Sequence, residues 1–292
     1  MSIDVLQDRI RKMKNPSVID FGVTPEHLPQ HLLDEEGNML KAYVRFCREL
    51  MDGMKTLVPA VRFSFSTFAL MSPEGMVQLS RLLQTAKDMG YYVFLDAPAI
   101  LSPWDADRTA SLCFREGSNY PCDGLVVLPY IGSDAIKPFV PYCNDAKKDL
   151  YLIVRTANKS AQELQDLQTG TRLAHIAATE TVKRFGESII GKCGYSRVCA
   201  MASASAPSSL RTLREKYNSV FLLVDGLDYP SGNAKNCSYA FDKFGHGAVV
   251  CAGPSVTAAW LENESDGRDY VDQAVQAAQR MKKNLTRYVT IL

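Results

Sequence analysis

The chain has 292 residues, of which 46% are hydrophobic and 22% are charged, and its formal net charge is +1 at pH 7. This composition is typical of a globular protein with a large buried core, and we interpret residues 1–292 as one domain. The nearly neutral charge gives no general electrostatic reason to expect a nucleic acid or an anionic membrane as a partner.

The N-terminal segment and the cysteines indicate a cellular compartment. Residues 1–14 mix acidic and basic side chains, and no stretch approaches the eighteen or so uninterrupted apolar residues of a membrane span, so we predict neither a signal peptide nor a membrane anchor. The eight cysteines include no C-x-x-C pair, which favours reduced and mostly buried thiols over a zinc site or a disulfide framework. We therefore expect a cytoplasmic protein.

The first predicted element is a helix that precedes every predicted strand. Ser2 could cap this helix, and Ile3, Leu6, Ile10 and Met13 recur at a spacing that places them on one helical face. We expect this extra helix to cover the bottom of the fold.

Eight short runs rich in β-branched and aromatic residues then recur, each followed by a stretch with helical spacing. They are Val18–Val23, Leu57–Phe65, Tyr91–Ala97, Gly124–Tyr130, Leu150–Thr156, Tyr195–Met201, Val220–Leu227 and Ala248–Ala252. Strand alternating with helix predicts right-handed βαβ crossovers and a parallel sheet, and eight such units are the number in a closed (β/α)8 barrel. The sequence therefore predicts an α/β fold, a TIM barrel with an extra N-terminal helix.

Turn and cap signals place several of the intervening helices. The run Ser72-Pro73-Glu74 combines a capping residue with proline at the first helical position, and Gly90 is expected to end this helix. After strand 4, Ser133 or Asp134 could cap a further helix. The long interval after strand 5 predicts an irregular loop before a helix at His175–Phe185. Other predicted helices include 39–54, 256–262 and 270–288.

The ends of the predicted strands carry the candidate functional residues, because barrel enzymes place their catalytic groups on the loops that follow the strands. Arg62 closes strand 2 and Asp96 closes strand 3, and we expect the two to form a salt bridge. Arg62 could instead contact an anionic ligand in the barrel mouth, and Asp96 could instead be a catalytic residue. Other rim positions that could bind a ligand are Thr24, Ser64, Tyr130, Thr156, Gly232, Gly253 and Ser255.

Two further sites stay open as alternatives. The turns Ser231-Gly232-Asn233 and Ala252-Gly253-Pro254-Ser255 offer backbone N–H groups that could bind phosphate or sulfate, with Lys235 as the nearest predicted cation. Four aspartates near strand ends could converge on Mg²⁺, namely Asp20, Asp96, Asp225 and Asp228. Solvated loop carboxylates explain Asp225 and Asp228 equally well. We therefore predict no resident metal ion and no cofactor.

Motif blocks occur in a fixed order along nearly the whole chain. They are Pro59-Ala60-Val61-Arg62, Phe94-Leu95-Asp96-Ala97, Pro129-Tyr130-Ile131-Gly132-Ser133-Asp134, Val154-Arg155-Thr156-Ala157-Asn158, Glu163-Leu164-Gln165-Asp166, Gly186–Tyr195 and Val224-Asp225-Gly226. In this order the chain resembles the bacterial orotidine 5′-phosphate decarboxylases. The resemblance implies decarboxylation of orotidine 5′-phosphate to uridine 5′-phosphate in pyrimidine biosynthesis, by a homodimer whose active sites each use two chains.

The catalytic charge array of that family is largely replaced in this chain. The resemblance implies a lysine closing strand 2 and a strand 3 motif D-x-K-x-x-D, in which the lysine donates a proton and the last aspartate crosses the dimer interface. Here Arg62 stands at the strand 2 lysine position and Asp96 at the first aspartate position. Pro98 and Leu101 replace the motif's lysine and final aspartate. The sequence therefore predicts that the proton donor is missing.

The substrate contacts implied by the resemblance are also replaced. The ribose-binding aspartate falls on Thr24, the serine that reads the pyrimidine on Ala157, the strand 7 glutamine on Pro230 and the phosphate-binding arginine on Pro254; the threonine shortly after the charge array falls on Asp105. Proline cannot restore hydrogen bonds that a charged or amide side chain donated. The segment Asn158 with Glu163–Asp166 matches the family well, and we expect it to order the loop after strand 5.

These departures favour a catalytically degenerate member of the family that is kept for dimerisation, regulation or altered binding of a small anion. Three alternatives stay open: a working orotidine 5′-phosphate decarboxylase, a remodelled enzyme that acts on another phosphorylated metabolite, and an interaction protein that forms a heterodimer with an active decarboxylase. In such a heterodimer this chain would contribute Leu101 where its partner needs an aspartate.

Overall fold

A computed structural model describes residues 1–262 and 265–292. Eight parallel strands form a closed barrel in which each strand pairs with the next along the chain and the last pairs with the first. The strands are β1 Ser17–Asp20, β2 Ala60–Ser64, β3 Tyr92–Asp96, β4 Gly124–Val127, β5 Asp149–Ile153, β6 Val198–Ser203, β7 Leu222–Asp225 and β8 Ala248–Ala252. The predicted (β/α)8 barrel is confirmed, and each predicted strand overlaps an observed one.

Burial explains why these runs form strands. Every residue of β4, β6 and β8 is buried, because both faces of a barrel strand are covered by other parts of the protein. Exposure increases at the last residue of β1, β2, β3 and β7, which are Asp20, Ser64, Asp96 and Asp225. These polar residues mark the carboxyl ends of the strands and therefore the mouth of the barrel.

The helices surround the barrel, and each crossover between strands contains at least one. They are α1 Ile3–Met13, α2 Gln30–Glu36, α3 Met39–Met54, α4 Phe65–Met71, α5 Pro73–Asp88, α6 Pro103–Phe114, α7 Val140–Asp145, α8 Gln162–Gln165, α9 Ala174–Gly186, α10 Pro207–Lys216, α11 Ala234–Ser238, α12 Pro254–Thr257, α13 Ala259–Glu262 and α14 Tyr270–Thr286. Short 3-10 helices occupy Pro25–His27, Gly132–Ala135, Lys137–Phe139 and Lys159–Ala161.

Helix α1 lies at the bottom of the barrel, as expected from the sequence. The Arg197 guanidinium, just before β6, lies 2.9 Å from the Asp4 carboxylate, and the Gly247 N–H, just before β8, donates to Gln7 Oε1 at 3.1 Å. Both contacts are therefore at the amino ends of strands. Ser2 does occupy the capping position of α1, but its hydroxyl forms no capping hydrogen bond, so the expected side-chain cap is wrong.

The segment after β4 differs from the predicted capped helix. Two 3-10 turns in residues 132–139 precede α7. Ser133 and Asp134 therefore lie inside a turn and cap no α-helix. Pro138 and Pro141 lack the backbone N–H that a helix interior requires, which explains why a single long helix does not form here.

The loops after β2 and β5 contain more structure than the sequence analysis assigned to them. Helix α4 begins at Phe65, which the sequence placed in strand 2. The interval after β5 contains α8 and an antiparallel pair, Gln168–Thr169 with Arg172–Leu173, instead of an irregular loop. Gly170 adopts a φ of +67°, a conformation that glycine tolerates and that the tight turn of this hairpin requires.

The cysteines contribute to the core as small apolar residues. All eight are free, and seven of them are buried, Cys193 being partly exposed. Burial raises the pKa of the Cys47 thiol, which indicates that this side chain stays protonated. In the part of the chain that the structure describes, none of the helices has the length and apolar character needed to cross a membrane.

Candidate functional site

Arg62 lies in the barrel mouth among three aspartates that end other strands. Its Nε and Nη2 donate to the two carboxylate oxygens of Asp96 at 2.8 and 2.9 Å, which makes the pair bidentate. Its Nη1 lies 3.3 Å from Asp20 Oδ2 and 3.6 Å from Asp225 Oδ2. The expected salt bridge between Arg62 and Asp96 therefore forms, and it belongs to a cluster of one guanidinium and three carboxylates.

The guanidinium of Arg62 is enclosed by the protein. The side chain is only 8% exposed, and Cys251 Sγ and Met201 Sδ lie 3.7 and 4.0 Å from its nitrogens. Burial alone would lower the pKa of Arg62, but the carboxylates of Asp96 and Asp20 outweigh burial and raise it. Arg62 therefore stays positively charged and is a poor proton donor.

The surroundings of Asp20, at the end of β1, change the protonation of its carboxyl group. Burial raises the pKa of Asp20 to about 6; Arg62 opposes this rise, whereas Asp96 and Asp225 add to it. The Gly22 N–H donates to Asp20 Oδ1 at 2.8 Å and also favours the charged form. Because three carboxylates face one guanidinium, the cluster contains more acidic than basic groups.

Asp228, in the loop after β7, contacts the end of β8 and not Arg62. Its Oδ2 accepts a hydrogen bond of 2.6 Å from the Gly253 N–H, and its Oδ1 accepts one from the Ser255 hydroxyl. Sequence reasoning named all three residues but missed this contact. Barrel order could have suggested it, because the loops after neighbouring strands lie side by side.

The predicted anion-binding turns are occupied by contacts within the chain. The Gly232 N–H donates to the Tyr229 carbonyl at 2.7 Å, and a Cβ at Gly232 would lie 2.0 Å from the Gly226 carbonyl oxygen. Glycine is therefore needed here for close packing. The N–H of Gly253 and the hydroxyl of Ser255 likewise donate to Asp228, so these donors are engaged within the chain, and anion binding at the two turns stays a prediction.

The remaining rim residues have different surroundings. Thr24 is exposed, and its hydroxyl lies 3.2 Å from Nδ1 of His27 within a short 3-10 turn. Ser64 precedes α4, but its side chain accepts no capping hydrogen bond from that helix. Tyr130 is 82% exposed in the loop after β4. None of these three side chains contacts the Arg62 cluster through a hydrogen bond or ion pair recorded among the described residues.

Thr156 belongs to a hydrogen-bonded loop after β5. Its N–H donates to Gln165 Oε1 at 2.8 Å, and its hydroxyl donates to Asn158 Oδ1 at 2.6 Å. Arg155 donates to the Asp166 carboxylate at 2.9 Å, and the buried His175 ring lies 3.2 Å from the same carboxylate. The expectation that the segment around Gln165 and Asp166 orders this loop is thus confirmed.

Apolar side chains are exposed on the loops and first helices that follow β2, β3 and β4. Pro98 is half-buried, whereas Leu101 is 80% exposed. Because these three strands are neighbours, their loops form one side of the mouth. We call this surface the β2–β4 patch; its members are Leu70, Leu101, Trp104, Leu128 and Tyr130.

The arrangement does not favour the Mg²⁺ hypothesis. Asp20, Asp96 and Asp225 do converge, but on the guanidinium of Arg62, and Asp228 contacts Gly253 and Ser255 instead. Over residues 1–262 and 265–292, the structure contains no group of three or more His, Cys, Asp or Glu side chains that could hold a metal ion.

Comparisons with known proteins agree with this architecture. No protein-family profile matches the chain. It is 30% identical over 288 residues to the orotidine 5′-phosphate decarboxylase of Rhodopirellula baltica, covering 94% of this chain and 95% of the relative. It is 25% identical over 290 residues to the Clostridium novyi enzyme of the same name, covering 98% of both chains. A solved orotidine 5′-monophosphate decarboxylase from Plasmodium berghei superposes with a TM-score of 0.74 at 13% identity, covering 96% of this chain and 99% of that one. The chain therefore belongs to the orotidine 5′-phosphate decarboxylase family.

Proposed function

We propose that this protein is a catalytically degenerate member of its family, a cytoplasmic barrel that forms a homodimer but does not decarboxylate orotidine 5′-phosphate. The observation that carries the proposal is the position of Arg62, which is held by Asp96 on both carboxylate oxygens and faced by two more aspartates. A residue held in this way is suited to balance buried charge and not to react.

Proton donation is the chemical step that this mouth supports least. Decarboxylation leaves a carbanion that must take up a proton, and an effective general acid has a pKa near the working pH. The pKa of Arg62 is raised further above its already high usual value. Pro98, at the position where the resemblance implies a lysine, has no proton to give. General acid catalysis contributes about 10²- to 10⁴-fold where it exists, so its absence alone is a large loss.

Substrate binding is weakened as well. Pro230 and Pro254 stand where the resemblance implies a glutamine and an arginine that bind phosphate, and each charge-assisted hydrogen bond contributes about 1.5–3 kcal/mol. The acidic cluster around Arg62 adds repulsion, because an anionic nucleotide would approach Asp20, Asp96 and Asp225. Both effects reduce the affinity for orotidine 5′-phosphate.

The β2–β4 patch supports dimerisation with a second copy of this chain. Leu101 belongs to this patch, and its position is the one that the resemblance places across the dimer interface. Trp104 and Tyr130 are 74% and 82% exposed, and large aromatic side chains are the residues that contribute most to the centre of protein interfaces. A second copy would cover these side chains.

The test is an activity measurement on the purified full chain with orotidine 5′-phosphate, together with rescue of a pyrimidine auxotroph. The Clostridium novyi relative serves as the positive control, and the Asp96→Asn variant serves as the matched negative control. We expect no turnover above the Asp96→Asn background and no rescue. Saturable turnover that Asp96→Asn abolishes would show a working decarboxylase and overturn the proposal.

A second measurement separates the interaction hypothesis from homodimerisation. Co-expression with an active decarboxylase should leave the specific activity of that enzyme unchanged if this chain pairs with itself. A loss of activity in purified mixed dimers would favour the heterodimer alternative instead.

A further inference from the structure

The loops after β7 and β8 contain donors arranged as in a site for an anion. The Gly253 N–H and the Ser255 hydroxyl both donate to the carboxylate of Asp228. The distance from the Gly253 nitrogen to Asp228 Oδ2 is 2.6 Å. Backbone N–H groups and hydroxyls directed at one point favour a negative charge there. In TIM barrels, the loops after strands 7 and 8 are a frequent place for a phosphate. Here the negative charge at that place comes from the chain itself.

We propose that Asp228 is a specificity-determining residue, an internal anion that fills this site and excludes phosphorylated ligands from the barrel mouth. Asp228 is tethered three residues after the end of β7, so its carboxylate is present at a high effective concentration. A phosphate group would have to displace it and then lie beside it. This inference rests on the proposed function and deepens it, because it adds Asp228 to the side chains that weaken phosphate binding.

The surrounding charges make displacement unfavourable. Asp225, three residues before Asp228, and Asp20 on β1, which neighbours β8, both face Arg62. The guanidinium of Arg62 therefore already faces carboxylates and is not free to balance a phosphate. Lys235 lies exposed in α11, and no hydrogen bond or ion pair recorded among the described residues joins its ammonium to Asp228 or Ser255.

Space for a ligand exists beside Asp228. A cavity of about 460 Å³ is lined by Asp228 and Ser255, and its other polar lining residues are Asn233, Glu262, Arg280 and Asn284. Removal of the Asp228 carboxylate would join the freed donors of Gly253 and Ser255 to this cavity. Arg280 and Glu262 contribute charges of opposite sign to its wall, so the freed donors would supply the attraction for an anion. The variant protein should consequently accept an anion that the natural protein rejects.

The experiment measures binding of inorganic phosphate and of uridine 5′-monophosphate to the full chain by isothermal titration calorimetry. Asp228→Gly empties the site, and Asp228→Asn keeps its shape but removes the charge. Asp134→Gly is the matched control, because it removes an exposed carboxylate from another mouth loop. We expect Asp228→Gly to bind both ligands at least about tenfold more tightly than the unaltered chain, Asp228→Asn to gain less, and Asp134→Gly to gain nothing.

The affinity for phosphate decides whether the inference about Asp228 holds, and no measurement of catalysis is needed. Equal phosphate affinity in the unaltered chain and both Asp228 variants would overturn the inference, and so would an equal gain in Asp134→Gly. If Asp228→Gly does not fold, the Gly253 amide resonance in Asp228→Asn provides the second reading. That resonance should shift on phosphate addition in the variant and stay fixed in the unaltered chain; shifts of equal size would overturn the inference. Because phosphate binding is measured without turnover, failure of this inference is distinguishable from failure of the proposed function.

Discussion

Arg62 and Asp96 form a two-point ion pair between neighbouring strands, with the guanidinium donating to both carboxylate oxygens at 2.8 and 2.9 Å. The pair spans β2 and β3, whose register places Ser64 opposite Asp96 and Arg62 opposite Phe94. Arginine presents a planar fork that fits a carboxylate in this way, whereas lysine offers a single mobile charge. Arg62, two residues before the end of β2, therefore holds the Asp96 carboxylate at two points in the mouth.

Removal of the Arg62 guanidinium should destabilise the fold strongly. Arg62→Met would leave Asp20, Asp96 and Asp225 facing one another, and loss of one partner from a buried ion pair typically costs about 3–5 kcal/mol. The loss of stability should be smaller at pH 5 than at pH 7, because protonation of Asp20 removes one of the carboxylate charges that repel one another. Urea unfolding at both pH values provides the measurement.

The matched control for that variant is Arg45→Met. Arg45 also faces three carboxylates, those of Glu35, Glu36 and Glu49, but its side chain is 35% exposed. Exposed ion pairs contribute about 0–1 kcal/mol, so this variant should lose little stability. Equal losses for the two arginines would contradict the view that burial makes the Arg62 cluster important.

The stability of the barrel should depend on pH through Asp149, at the amino end of β5. Burial raises the pKa of Asp149 to about 8, although Tyr92 donates to it at 2.8 Å and Arg197 lies 3.5 Å away. Between about pH 4 and pH 8 the folded state therefore keeps a proton that the unfolded chain releases. The contribution of this group to folding stability falls as pH rises through that window.

The Asp149→Asn variant should remove this dependence. Its free energy of unfolding, relative to that of the unaltered chain, should rise from pH 5 to pH 8 by up to about 1.4 kcal/mol for each pH unit. Chemical denaturation across this range measures the difference. Parallel stability curves for the two proteins would show that Asp149 is ionised in the fold.

The β2–β4 patch should hold the homodimer together. Leu101→Asp places a charge on a surface that a second copy would cover, and burial of an unpaired charge is costly. We expect the dimer to dissociate at least about tenfold more readily, as measured by sedimentation equilibrium. Leu164→Asp is the control, because Leu164 is 61% exposed on the loop after β5. A monomeric unaltered chain would contradict the proposal.

Two capping serines should respond differently to alanine. The Ser72 side chain accepts a hydrogen bond from the Gly75 N–H at 3.2 Å, so Ser72→Ala should cost about 1 kcal/mol of stability. Ser2 occupies the same position of α1 but makes no such bond, so Ser2→Ala should cost clearly less. Thermal unfolding of both variants tests this difference, and equal losses would show that the hydroxyl contact at Ser72 contributes nothing.

The sequence by itself determined the barrel, because strand and helix patterns are local and repeat eight times. Runs such as Ala248–Ala252 are apolar enough to be buried on both faces, and Ser72-Pro73 marks a helix start with chemistry that needs no distant partner. Two predicted helix caps were wrong, because a cap depends on more than the residue type. Ser2 stands at the capping position of α1 without the expected hydrogen bond. The prolines near Ser133 break the predicted helix into turns.

Most contacts of the mouth were decided only by the tertiary structure. Arg62 and Asp96 were paired correctly from their places at the ends of neighbouring strands, but the contacts of Arg62 with Asp20 and Asp225, and of Asp228 with Gly253, join residues far apart in the chain. Pattern and spacing fix which residues reach the rim. Closure of the barrel determines which charged side chains at the rim lie within about 4 Å of one another. At that distance, a carboxylate that pairs with its own protein is no longer available to a ligand.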